Sequence, residues 1–159
     1  MKKIREYKES DYAGFKEMLY VCFTQDYKIP LNKNQLEDLC LEITQQFLRY
    51  ILSIDLLIID DAPKGFVIYQ IDSKDSDWCE KEGYGFIREL YVAADLRGAG
   101  HGRSLVSHAE KRMKDKAVPG IYLTTDETTG FWAKIGYRDT GEICVKNNGR
   151  IFVKKARKI

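Results

Sequence analysis

Phe86-Ile87-Arg88-Glu89-Leu90-Tyr91-Val92-Ala93-Ala94-Asp95-Leu96-Arg97-Gly98-Ala99-Gly100-His101-Gly102-Arg103-Ser104-Leu105 is the stretch that decides how this chain folds. It opens on an apolar run rich in branched and aromatic residues, crosses a turn and reaches three glycines at alternate positions. Leu105, Val106, Ala109 and Met113 then recur at helical spacing. The order is strand, Gly-rich loop, helix. Gly98, Gly100 and Gly102 remove side chains where a backbone must wrap something closely. A helix that starts as the glycines end points its unpaired N–H groups and the positive end of its dipole at that something. Such an end binds phosphate, and Arg97 and Arg103 flank it as sources of charge-assisted contacts.

The spacing excludes two common phosphate readers. A nucleotide P-loop needs a lysine directly after its last glycine, and none stands here. The dinucleotide fingerprint GxGxxG fails because Arg103 sits where its third glycine belongs. On the glycines alone, a tight turn with no ligand stays open.

Working outward, Lys2 to Tyr7 alternates weakly and predicts an edge strand. Ser10 can cap a helix from about Asp11 to Phe23, with Phe15, Met18, Leu19 and Cys22 on one face. Tyr27 to Leu31 reads as a turn around Pro30. Asn32 or Asn34 caps a second helix, whose stripe is Leu36, Leu39, Ile43, Phe47 and Ile51. Asp55 to Ile59 and Gly65 to Ile71 read as a hairpin around Asp60-Asp61-Ala62-Pro63. Ser73 to Tyr84 is a polar loop before the strand Phe86 to Val92. The helix after the glycines runs from about Gly102 to Lys116, and a strand from Ile121 to Thr124 follows Pro119-Gly120. A short helix near Thr129 to Ile135 ends at Gly136. Strands Arg138 to Val145 and Arg150 to Lys155 close the chain around the turn signal Asn148-Gly149. That order implies a mixed sheet with helices on both faces.

The 159 residues fit one domain, taken as residues 1–159. A hydrophobic fraction of 44% against 31% charged describes a folded chain, not a disordered one. No apolar run reaches the roughly 18 residues that span a bilayer, and the N-terminus meets charge too soon for a signal peptide. The expectation is a cytoplasmic protein without membrane contact. A net charge of +2 gives no case for nucleic acid, and Lys154, Lys155, Arg157 and Lys158 read as a solvated tail. Cys22, Cys40, Cys79 and Cys144 form no CxxC pair, and the two histidines complete no zinc spacing, so reduced thiols and no metal are expected.

Arg97-Gly98-Ala99-Gly100-His101-Gly102 resembles the R/Q-x-x-G-x-G/A loop of the GCN5-related N-acetyltransferases. It follows Ile87-Arg88-Glu89-Leu90-Tyr91-Val92, which is similar to that family's I-x-x-L-Y-V strand. Downstream, Gly130-Phe131-Trp132-Ala133-Lys134-Ile135-Gly136-Tyr137 resembles its F-Y-E-K-x-G-F element. The three elements stand in the family's order, and the resemblance covers nearly the whole chain. It implies the acyl-CoA N-acyltransferase fold: a mixed, mostly antiparallel sheet of about seven strands, helices on both faces, and a splayed parallel pair, Phe86–Val92 and Ile121–Thr124.

The resemblance also implies acetyl-CoA as co-substrate, an unidentified amine as acceptor and direct acyl transfer between them. Main chain at Leu90, Tyr91 and Val92 would bond the pantetheine arm. The amides of Arg97, Gly98, Ala99, Gly100, His101, Gly102 and Arg103 would take the pyrophosphate. A homodimer is compatible with the family. Deprotonating an alkylammonium at pH 7 costs roughly 4–5 kcal/mol, so a base or water relay is needed. Glu89, the only acid on the strand, is the candidate base or amine-binding carboxylate, with a solvated or salt-bridged residue as the plain alternative. Asp126 and Glu127 are alternative acids, or simple helix-capping residues.

Two positions depart from the family. Arg88 stands where some relatives have a glutamate, and strand alternation puts it on the face opposite Glu89. Trp132 stands where many have a tyrosine acid, and an indole N–H is not a usable acid. These keep open a second reading, a catalytically impaired CoA-binding interaction module. Tyr137 is expected in the core, His101 exposed in the loop, and His108 on the helix surface. Acceptor recognition is expected from Thr24–Lys33, the second helix and the loop Asp72–Gly85 with Trp78 and Tyr84.

Overall fold

The computed structural model describes residues 1–126 and 130–156. Among them are seven strands: β1 (Lys2–Glu6), β2 (Ser53–Ile59), β3 (Ala62–Ile71), β4 (Gly85–Val92), β5 (Gly120–Thr125), β6 (Arg138–Ile143) and β7 (Arg150–Lys155). They form one sheet in the order β1-β2-β3-β4-β5-β7-β6. All neighbours are antiparallel except β4 and β5. The helices are α1 (Tyr12–Val21), α2 (Lys33–Leu48), α3 (His101–Lys114) and the short α4 (Phe131–Lys134). This is the mixed sheet that the element order implied, with the parallel pair that the resemblance implied.

The helices take the two faces that their apolar stripes dictate. Phe15, Met18, Leu19 and Cys22 pack with Cys40 and Ile43 on the face carrying Ile54, Phe66, Ile68 and Tyr91. Leu105, Val106, Ala109 and Met113 pack on the other face, against Leu57, Val67, Ile87 and Ile121. Each fully buried side chain of this kind stabilises by about 1.5–3 kcal/mol, which fixes where α3 begins relative to β4. Asn32, not Asn34, caps α2: its side chain accepts from the Gln35 amide at 2.8 Å while the Gln35 side chain accepts from the Asn32 amide at 2.9 Å. The helix ends at Leu48, so Ile51 lies beyond the stripe assigned to it.

Three irregularities shape the centre of the molecule. First, α1 does not run evenly to Phe23 but passes into a π-helical turn, Cys22–Asp26, whose wider winding delivers Tyr27 to the sheet. Second, β4 pairs Glu89 with Ile68 and Ile87 with Tyr69, leaving Arg88 as an extra residue in a β-bulge. Third, β4 and β5 pair only at Gly85–Ile121 and Phe86–Tyr122 before they part.

The loop after β3 closes the paired end. The Asp72 carboxylate accepts from the amides of Glu80 and Lys81, both at 3.0 Å, and from the Tyr122 hydroxyl. Trp78 stacks on Phe86, which stacks on Tyr122 with ring centroids 4.5 Å apart. The β6–β7 connection spans Cys144–Gly149, wider than the two-residue turn expected from Asn148-Gly149. There the Cys144 amide donates to the Gly149 carbonyl and the Asn148 amide to the Cys144 carbonyl, both at 2.8 Å. Lys154 is not part of a solvated tail: its ammonium lies 3.1 Å from Glu110, whose carboxylate also accepts from Tyr137 at 2.7 Å. Arg157 and Lys158 lie outside the described residues.

Candidate active site

Past Phe86 and Tyr122, the facing edges of β4 and β5 carry no ladder to each other. Two adjoining cavities fill the gap, of about 540 and 850 Å³. Tyr27, Leu90, Asp126 and Phe131 line both.

The larger cavity takes in the end of β4 and the glycine loop. Leu90, Tyr91, Val92, Arg97, Gly98, Gly100, His101, Gly102 and Arg103 line it; Ala99 sits in the same loop but outside the lining. Gly98 and Gly100 have φ of +85° and +87°, and nothing lies within 4 Å of where a Cβ would be. Backbone conformation, not crowding, demands glycine there, since a left-handed residue with a Cβ costs about 1–2 kcal/mol. Gly100 caps α3 without a side-chain bond. The amides of residues 98–103 find no acceptor among the described residues. Such a row of unpaired donors at a helix N-terminus is an anion site in physical terms.

Two side chains of this loop differ from expectation. Arg97 does not reach freely into the cavity. Its Nε donates to the Val92 carbonyl and its Nη2 to Asp26, both at 2.8 Å, so the guanidinium ties the π-turn to the end of β4. That bond also engages one of the carbonyls expected to be open on β4. His101 is half-buried rather than exposed, as the first residue of α3, and its Nδ1 has no partner among the described residues.

The smaller cavity takes in residues of the π-turn, β4, β5 and α4. Glu89 is half-buried and accepts a 2.5 Å hydrogen bond from the Tyr27 hydroxyl. Burial pushes its carboxyl up to about 7, against the opposing pull of that bond and of the Arg88 charge. Burial beside Glu89 raises the Tyr27 hydroxyl well above its ordinary value, so it stays a proton donor. Arg88 is not on the opposite face from Glu89. Its Nη1 donates to Asp77 at 2.9 Å, to Gln70 at 3.2 Å and to Gln46 of α2 at 3.3 Å, all on the α1–α2 side. The bulge breaks the two-residue period that alternation assumes and turns both side chains the same way.

Of the segments expected to shape the acceptor end, Tyr27, Lys28 and Ile29 do line the smaller cavity. Trp78 and Tyr84 do not; they pack against Phe86, Tyr122 and Cys144. Among the described residues, the second helix bonds to the site through Gln46 on Arg88. Trp132 lines the cavity and packs edge-on against the buried Tyr137. Asp126 is exposed at the mouth, and Glu127 lies outside the described residues. His108 is remote from the cleft: it is half-buried, with Nε2 3.4 Å from the buried Asp55. Tyr27 escaped the sequence reading because its pairing with Glu89 spans 62 positions; an aromatic near Pro30 gave no sign of it.

Residues 13–137 match the family described as the acetyltransferase (GNAT) family. The chain belongs to that family. Among curated proteins, this GNAT chain is 27% identical over 92 residues to the peptidyl-lysine N-acetyltransferase YjaB of Escherichia coli. The match covers 58% of the chain and spans about half, 53%, of that relative's length. Among solved structures, it is similar to an acetyltransferase of the GNAT family from Staphylococcus aureus, with TM-score 0.77 and 16% identity over 99% of this chain and 100% of that one. It is also similar to the PaiA N-acetyltransferase of Thermoplasma acidophilum in complex with coenzyme A, with TM-score 0.75 and 18% identity over 98% and 99% of the two chains. At these identities the structural likeness establishes the fold.

Proposed function

We propose that this chain is an acetyl-CoA-dependent N-acetyltransferase that moves an acetyl group directly from the thioester to a primary amine, with residues 1–159 acting as one domain. One observation carries the reading. A carboxyl group poised near pH 7 lies on the splayed edge of β4, in a cleft continuous with a row of unpaired amides. The first is suited to an amine, the second to a diphosphate. The coenzyme A held by the Thermoplasma relative supports the same assignment.

In this reading the amides of Gly98 to Arg103 grip the diphosphate, and unpaired main chain between Leu90 and Val92 pairs with the pantetheine arm. Arg97 contributes from its place in the loop, its side chain being engaged with Val92 and Asp26. Glu89 takes the proton of the acceptor ammonium. Near pH 7 it is both partly ionised and basic enough to do so, which a carboxylate at its ordinary value near 4.5 is not. The amine nitrogen then bonds the acetyl carbon, the carbon–sulfur bond breaks, CoA leaves as the thiolate, and the second proton of the nitrogen passes to water. An unpaired N–H of β4 stabilises the developing oxyanion. Trp132 supplies no proton, and a thiol of ordinary acidity leaves without one. Tyr27 holds the Glu89 carboxylate in one orientation.

The test is thiol release from acetyl-CoA over a panel of primary amines, run beside calorimetric CoA binding. Turnover on at least one amine class is expected. Tight CoA binding with no turnover on any acceptor would instead favour the impaired binding module.

A further inference from the structure

The bulge in β4 sets a cation beside the candidate base, and that cation is only half used. Every hydrogen bond of the Arg88 guanidinium leaves from Nη1, to Gln46, Gln70 and Asp77. Nε and Nη2 have no acceptor among the described residues, although the side chain is only 17% exposed. Neither atom is among the buried groups left without a partner, so both reach solvent and can meet an arriving acceptor. The clamp on Nη1 fixes the plane of the group, so little side-chain entropy remains to be lost on binding. The free edge, Nε with Nη2, is the fork that takes a carboxylate through two parallel bonds.

The surroundings agree in charge. Lys28 lines the same cavity and has no ion partner among the described residues. Asp26 is neutralised by Arg97 at 2.8 Å. Asp126 is the exposed counter-charge at the mouth. We infer that the acceptor is an amine that also carries a carboxylate, with its nitrogen at Glu89 and its carboxylate on the free edge of Arg88. Asp77 balances the Arg88 charge from the Nη1 side, but a polyamine, which brings only cations, offers the free edge no acceptor.

This rests on the acyl-transfer reading above and sharpens it. The experiment uses three matched pairs with acetyl-CoA: phenylalanine with phenethylamine, tyrosine with tyramine, and lysine with cadaverine. Their kcat/KM values are compared in the wild type, Arg88→Gln and Arg88→Lys. The wild type is expected to prefer the carboxylated member of at least one pair by about tenfold or more, mostly through KM. Arg88→Gln should shrink that preference to within about threefold, and Arg88→Lys, which keeps the charge without the fork, should fall between. A wild type that treats both members of every pair alike, or a preference that Arg88→Gln leaves intact, overturns the inference. Calorimetry of the same amines into the protein–CoA complex separates the two levels. Carboxylate-dependent binding that Arg88→Gln removes, without turnover, contradicts acyl transfer while upholding the role of Arg88. Turnover or binding indifferent to the carboxylate leaves acyl transfer standing and removes that role.

Discussion

Along the free edge of β4 the cleft changes material. Towards α3 it takes in one contiguous loop, shaped by two left-handed glycines, whose amides find no acceptor among the described residues. Towards the π-turn it is walled by side chains from separate segments: Tyr27, Arg88 and Glu89, and Trp132, with Gln46 and Asp77 reaching in behind Arg88. In the proposed function the first half serves a ligand part that is the same in every acyl-CoA, and main-chain amides suffice for it. The second meets whatever the acceptor is, and only side chains can vary with it. Damage to one half should therefore leave a different signature from damage to the other.

The largest effect is expected from Glu89→Gln. Loss of the proposed base should lower kcat by about 100-fold or more while the CoA dissociation constant, measured by calorimetry, stays within about threefold. The same substitution should stabilise the fold at alkaline pH. Glu89 keeps its proton in the folded state up to about 7 but ionises near 4.5 when unfolded. Between those values the wild type loses stability as pH rises, by up to about 3 kcal/mol. The variant carries no ionisable group at this position and has no such loss. Urea melts should thus show the variant ahead at pH 8 and the gap closing towards pH 5; a gap that is widest at pH 5 would contradict the assigned direction.

Gly100→Val strikes the other half. A β-branched residue at φ of +87° is strained by about 1–3 kcal/mol, and the loop relieves it by moving its amides. CoA affinity should fall by about tenfold or more, with the pH of the rate limb unchanged in single-turnover measurements at saturating acetyl-CoA. A displaced pH limb would mean that the halves are not separable.

The smallest effect belongs to Tyr27→Phe. The hydroxyl favours the ionised form of Glu89, so its removal should move the acidic limb of the kcat profile above 7 and slow turnover at pH 7 by a few-fold. A limb that stays in place would show that the 2.5 Å bond does not persist once the acceptor is bound.

The same division explains what could be read from the sequence. Gly98 and Gly100 announced the loop because a left-handed turn needs that residue type at that place, and the stripe Leu105, Val106, Ala109, Met113 fixed the helix behind it. Arg88 was turned to the wrong face because alternation assumes an unbroken ladder, and a bulge has no residue signature of its own. Tyr27 depends on one wide turn of helix that periodicity at 3.6 does not show. Trp78 looked like a recognition residue as an aromatic in a polar loop, yet its ring is needed to cover Phe86 where the parallel pair still holds. Lys154 read as a tail residue until the sheet laid it against Glu110.

The account stands most directly on the amides of residues 98–103. Backbone amide NMR during a titration with coenzyme A, repeated with pantetheine, reads them one by one. Coenzyme A should produce the largest shifts at those amides, downfield as they gain an anionic acceptor, and pantetheine, which lacks the diphosphate, should leave them nearly still. Unmoved amides at saturating coenzyme A, or equal shifts with pantetheine, would contradict it.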